Sequence, residues 1–233
     1  MTTESGPPGA GSRLANDLFW LILDDTYDRL RVNSASCGVG LAAALLAELA
    51  LHDGSITMTR GIVRPVPHGR HQPTAPRDPV ARAVFDAIVA EPHVYALEDR
   101  LAVLAHDALA LVTWRLSEAG ALQIVEQRRR TAYRSVDSTR SGTPAVRLRL
   151  RWKRCTAYDS TALFADHHDA ILCAIAWQVG LIGELVGDGV PAEASEAVMR
   201  YLDWFVSDTD AGLGPLLSLI APFVSTGVLS YRP

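Results

Sequence analysis

A chain of 233 residues, 48% of them apolar, is long and apolar enough to bury its own core, which excludes a disordered or fibrous protein. Its net charge of −4 is low for a nucleic-acid binder. The three cysteines, Cys37, Cys155 and Cys173, are odd in number, far apart and without metal-type spacing, which argues against a disulfide framework or zinc site and for a reducing compartment.

Residues 1–13 read as a polar, disordered extension, without the basic start and apolar core of a signal peptide, ahead of a single domain over 14–233. Leu14, Leu18, Leu21 and Ile22 predict a short amphipathic helix ending near Asp24, and TYDRLRV a turn with a short extended piece. Leu41, Leu45, Leu46, Leu49 and Ala50 recur at helical spacing in LAAALLAELAL, the main core helix, which His52, Asp53 and Gly54 stop. SITMTRGIV then reads as one strand. Residues 64–79, rich in Pro, His and Arg, read as a loop in which His68 and His71 lack further ligands for a metal.

Helices follow over Val80–Val89, with a break at Pro92, and from Leu97 to Glu118, closed by Gly120. ALQIVEQ and TAYRSV pair as strands around a turn at Arg128, Arg129 and Arg130, the outline of a winged-helix unit. Asp166 or Asp169 caps an apolar helix over Ala170–Val186. His167 and His168 lie at its first turn as capping or solvent residues. Glu193–Val206 forms another helix. Asp208-Thr-Asp210 falls in a loop, and the final helix, Leu216–Val224, breaks near Pro222. No stretch reaches the roughly eighteen apolar residues of a membrane span.

The distinctive stretch is RRRTAYRSVDSTRSGTPAVRLRLRWKR, Arg128 to Arg154, with ten cations against Asp137 alone. It carries +9, so the remainder carries −13. Such a patch attracts a polyanion, and arginine can grip phosphate with two parallel hydrogen bonds. Between 146 and 153 apolar residues alternate with Arg147, Arg149, Arg151 and Lys153, which reads as a strand with one cationic face.

Three stretches, LANDLFWLILDD with TYDRLRV, LLAELALHDGSITM, and LSEAGAL followed by the basic hairpin, resemble in order and spacing the actinobacterial branch of the Golgi phosphoprotein 3 family. AILCAIAWQVGLIGELV falls where that family has its C-terminal bundle. The resemblance implies a mainly α fold, a helical bundle with a projecting basic β-hairpin, that binds phosphatidylinositol 4-phosphate at a membrane without catalysis. It also implies a helix over 144–155, and strand and helix both stand at this point. Where eukaryotic members place the tryptophan and arginines of their headgroup pocket, this chain has Asn33, Ala42, Leu109 and Leu111. The family hairpin enters the bilayer with apolar residues, a role for which this chain offers Tyr133 and Ile124.

The expected function is peripheral attachment to anionic lipid through Arg128, Arg129, Arg130, Arg134, Arg147, Arg149 and Arg151, on the cytoplasmic side of the membrane, with no metal or cofactor and with homo-oligomerisation through the hairpin as a further contact. The alternative is a winged-helix DNA-binding regulator that reads bases with Arg115 and His106. Catalysis ranks third, since GxSxG, HExxH, P-loop and GxGxxG motifs are all missing.

Overall fold

In the computed structural model the described residues are 13–67, 75–90, 96–127, 130–154, 167–181, 183, 192–208 and 213–230. Eight helices and three two-stranded antiparallel hairpins run in the order α1 (Leu14–Ile22), β1 (Leu23–Asp24), β2 (Arg29–Leu30), α2 (Ser34–Leu51), β3 (Ile56–Thr59), β4 (Ile62–Pro65), α3 (Pro79–Ala90), α4 (Leu97–Glu118), β5 (Leu122–Gln127), β6 (Arg130–Ser135), α5 (Ser138–Arg154), α6 (His167–Gln178), α7 (Ala192–Asp208) and α8 (Leu213–Ser230). The mainly α class with a basic hairpin is therefore what the chain adopts.

The core forms around α2, which is buried from Ser36 to Leu49 and packs against α1, α4, α6 and α8. A helix apolar on every side belongs inside a protein. It begins at Ser34, seven residues before the leucine pattern, because the Asn33 side chain accepts the Ser36 N–H and caps it. By length and composition α2 could cross a bilayer, contrary to the sequence expectation, yet 78% of it is buried inside the fold and it serves as a core helix. Gly38 lets α4 approach closely: a Cβ there would stand 2.3 Å from the Ala105 carbonyl oxygen.

SITMTRGIV is a hairpin, not one strand. It turns at Arg60 and Gly61, both at positive φ, and β4 extends through Arg64 and Pro65, which were expected in the loop. Gly120, at φ +65°, closes α4: its N–H reaches Ser117 O and the Ala121 N–H reaches Leu116 O. The β5–β6 hairpin then pairs Leu122 with Ser135 through to Gln127 with Arg130.

Residues 138–154 settle as helix, and the strand reading of 144–155 is corrected. A strand would bury Val146, Leu148, Leu150 and Trp152 together. Instead Leu148 and Trp152 are 1% exposed while Val146 and Leu150 are 53% and 52% exposed, a helical division. Leucine and arginine favour helix, and burial of Leu148 and Trp152 in the core outweighs the interior Pro144. α8 likewise runs through Pro222 without the expected break. Arg13 was assigned to the extension but belongs to the fold, as the N-cap residue of α1 and an ion-pair partner of Glu48. Residues 1–12, His68, His71, Pro92, Cys155, Asp166, Thr209 and Asp210 lie outside the described residues.

Candidate functional site

The basic segment divides into groups with different surroundings. On one flank of α5, Arg147 and Arg151 lie one turn apart and face α1 and α6. Arg147 Nε donates to Asp169 Oδ1 at 2.8 Å and its Nη2 to Asp17 Oδ2 at 2.8 Å. Arg151 Nε stands 2.7 Å from Asp169 Oδ2. His168 Nε2 lies 2.9 Å from the same Asp17 oxygen that Arg147 engages. The Asp169 side chain is fully buried, a position that requires a paired cation. Burial opposes the charge on Arg147, but the Asp17 hydrogen bond and the charges of Asp17 and Asp169 outweigh it, so its pKa rises. Both arginines are thus held by the protein's own carboxylates rather than facing outward to phosphate.

Arg134, on the exposed side of β6, donates Nη2 and Nε to Asp28 Oδ2 at 2.8 and 3.2 Å, and the Asp28 hydrogen bond raises its pKa. Tyr133 is placed otherwise than expected. It is half-buried, its ring meets Phe19 edge-on at 5.9 Å, and its N–H reaches Asp28 O, so it seats the hairpin base on α1 instead of meeting a membrane. Ala132 is buried beside it. Burial, with the nearby Cys37 adding, raises the Tyr133 pKa. Ile124, paired with Tyr133, is exposed, as are Glu126, Gln127 and Thr131 farther along the hairpin.

Beyond the last pair, Gln127 with Arg130, the chain is joined by Arg128 and Arg129, which lie outside the described residues. Arg130 is described as part of β6. Arg149, exposed, lies on the side of α5 away from Arg147 and Arg151. Of these arginines, Arg134, Arg147 and Arg151 pair with Asp28, Asp17 and Asp169, and Arg149 lies on another side of α5.

At the positions aligned with the family pocket, Asn33 caps α2, Ala42 is fully buried, and Leu109 and Leu111 pack against the core, so no cation stands there. Arg115, the expected base reader, is 8% exposed. Its Nη1 reaches Glu48 Oε2 at 3.0 Å and Asp78 Oδ2 at 3.1 Å, its Nη2 reaches Glu48 Oε1 at 3.3 Å, and its Nε reaches Asn16 Oδ1 at 2.8 Å. It ties α1, α2 and the start of α3 to α4. Of the two proposed readers, only His106 is exposed.

Two cavities lie among the described residues near these groups. One of about 480 Å³ runs between α3 and α4 over Leu46, with Val103 and Trp114 exposed on its rim. Another, about 270 Å³, brings His52, His167 and His168 beside Leu51 and Ile171. Among the described residues no group of three or more His, Cys, Asp or Glu is arranged to hold a metal ion. Cys37 and Cys173 are buried thiols with raised pKa values, that of Cys37 pushed up by burial to about 12.

The fold defines a class of helical bundle that carries an antiparallel hairpin, packed on the bundle as far as Ala132 and exposed at Glu126, Gln127 and Thr131. Residues 14–212 match the family model for Golgi phosphoprotein 3 (GPP34), and the chain belongs to that family. No curated protein matches it.

Proposed function

We propose that the protein attaches to anionic membrane surfaces, phosphatidylinositol 4-phosphate among their lipids, as a non-catalytic peripheral protein on the cytoplasmic side, through the outer end of the β5–β6 hairpin. The observation that carries this reading is the hairpin register. Strand pairing ends at Gln127 and Arg130, two pairs beyond buried Ala132, and in the sequence the run Arg128-Arg129-Arg130 joins the two strands there. Family membership supports it. Exposed Arg149 on α5 is added to this set, whereas Arg147 and Arg151 pair with buried Asp169 and Arg134 pairs with Asp28 at the surface.

Each basic group near an anionic surface contributes about 1 kcal/mol, so four give a reversible attachment that salt weakens. The DNA-binding reading loses ground because Arg115 is committed to Glu48 and Asp78 inside the bundle. Co-sedimentation with vesicles tests the proposal. Binding is expected to rise with phosphatidylserine or phosphatidylinositol 4-phosphate, to fall with added salt, and to be lost in R128E/R129E/R130E. Undiminished binding by that variant, or equal binding to purely neutral vesicles, would refute it.

A further inference from the structure

The outer face of α5 is unusual for a helix whose other side is fully engaged. Ser141, Pro144, Leu148 and Trp152 are buried on the inner side. Almost opposite them, Val146 and Leu150 stand one turn apart, each more than half exposed, with exposed Arg149 alongside. The roll of the helix about its axis is fixed, because Arg147 and Arg151 bind Asp169, and Arg147 also Asp17, from one flank. Val146 and Leu150 therefore cannot turn inward without breaking three buried or half-buried ion pairs.

We propose that this face is an interfacial membrane contact: Val146 and Leu150 enter the boundary between headgroups and acyl chains while Arg149 meets lipid phosphate. The proposal rests on the reading of the hairpin given above and adds a second apolar element to the hairpin's exposed Ile124, Tyr133 being packed against Phe19. An anionic lipid surface is the occupant favoured by charge, since Arg149 is exposed beside the two apolar residues and Asp137 is the one acid in the sequence between Arg128 and Arg154. β6 passes into α5 with only Val136 and Asp137 between them, and Val136 is itself exposed, so both contacts belong to one strip of chain. Amphipathic helices bind membranes in this way, with apolar residues shallowly inserted and basic residues at the headgroups.

The experiment uses the full chain carrying C155S and L150C, labelled at 150 with an environment-sensitive fluorophore; Cys37 and Cys173 are buried. The probes are vesicles of phosphatidylcholine alone and of phosphatidylcholine with phosphatidylserine. The label is expected to shift to the blue only on the anionic vesicles, and the unlabelled V146S/L150S variant to bind them about tenfold more weakly with its melting temperature unchanged. If the parent binds but the label stays in water and V146S/L150S binds like the parent, this inference falls and attachment through the hairpin stands. If the parent binds no anionic vesicle, both fall. A lipid-free dimer that V146S/L150S dissociates would assign the face to a second copy of the chain and overturn the membrane contact.

Discussion

Glu48 lies in the apolar run LLAELAL, and its side chain is wholly excluded from solvent. It takes the Ala15 N–H at 2.7 Å and both terminal nitrogens of Arg115, with Arg13 at 3.4 Å. Removing one member of a buried pair leaves the other charge without its partner, which is costlier than removing both. R115M is expected to cost about 3 kcal/mol in urea unfolding, the low end of the usual 3–5 because Arg13 still neutralises part of Glu48. In R115M/E48Q much of that loss should return; strictly additive losses would show that the two side chains are not coupled. The signal for such pairs was present in the sequence, since Asp17 and Glu48 each interrupt an apolar helix, Asp169 opens one, and an acid buried there needs a cation. Which arginine answers each acid was not legible: Arg115 is 67 residues from Glu48, and Arg147 is 130 from Asp17.

Among the elements, α2 and α4 were legible because their apolar residues recur at helical spacing, whereas α5 was not. Its alternation of leucine and arginine satisfies a two-residue period as well as a helical one. Only the neighbours decide between them, and the slot that takes Leu148 and Trp152 is built by residues distant in sequence. The same dependence on a distant partner governs Gly38. Its place in α2 gives no sign that α4 crosses there, yet an added Cβ would meet Ala105 O at 2.3 Å, and that atom is backbone. Alanine favours helix over glycine by about 1 kcal/mol, but separating two core helices costs about 1–3 kcal/mol. G38A should therefore melt below the parent in a thermal scan. A variant as stable as the parent would mean that the crossing relaxes without cost.

For the molecule as a whole, charge is distributed by use. Within the basic segment Arg147 and Arg151 tie α5 to α1 and α6 and Arg134 pairs with Asp28 at the surface, and this is why a single cationic face read from composition overestimated the surface available to a ligand. The acids are arranged less evenly near the start of α1, where Glu48, Asp53 and Asp78 surround Arg13 and Arg115, three carboxylates to two guanidiniums. Asp53 Oδ2 is buried without a hydrogen-bond partner, 3.8 Å from Arg13 Nη1. Burial raises the Asp53 pKa most, Glu48 and Asp78 add to it, and Arg13 only partly offsets them. A carboxyl whose pKa is higher folded than unfolded favours the fold while protonated, below the ordinary carboxylate value, and that contribution is lost as pH rises through the raised value. Ionised Asp53 therefore opposes folding at neutral pH. D53N should melt above the parent at pH ~7, and the gap should close as pH falls below about 4, where the parent residue is protonated in both states. Circular-dichroism melts of the two proteins across this range check the sign. A D53N variant less stable at neutral pH, with a deficit that disappears in acid, would show that the Arg13 attraction outweighs burial at this site.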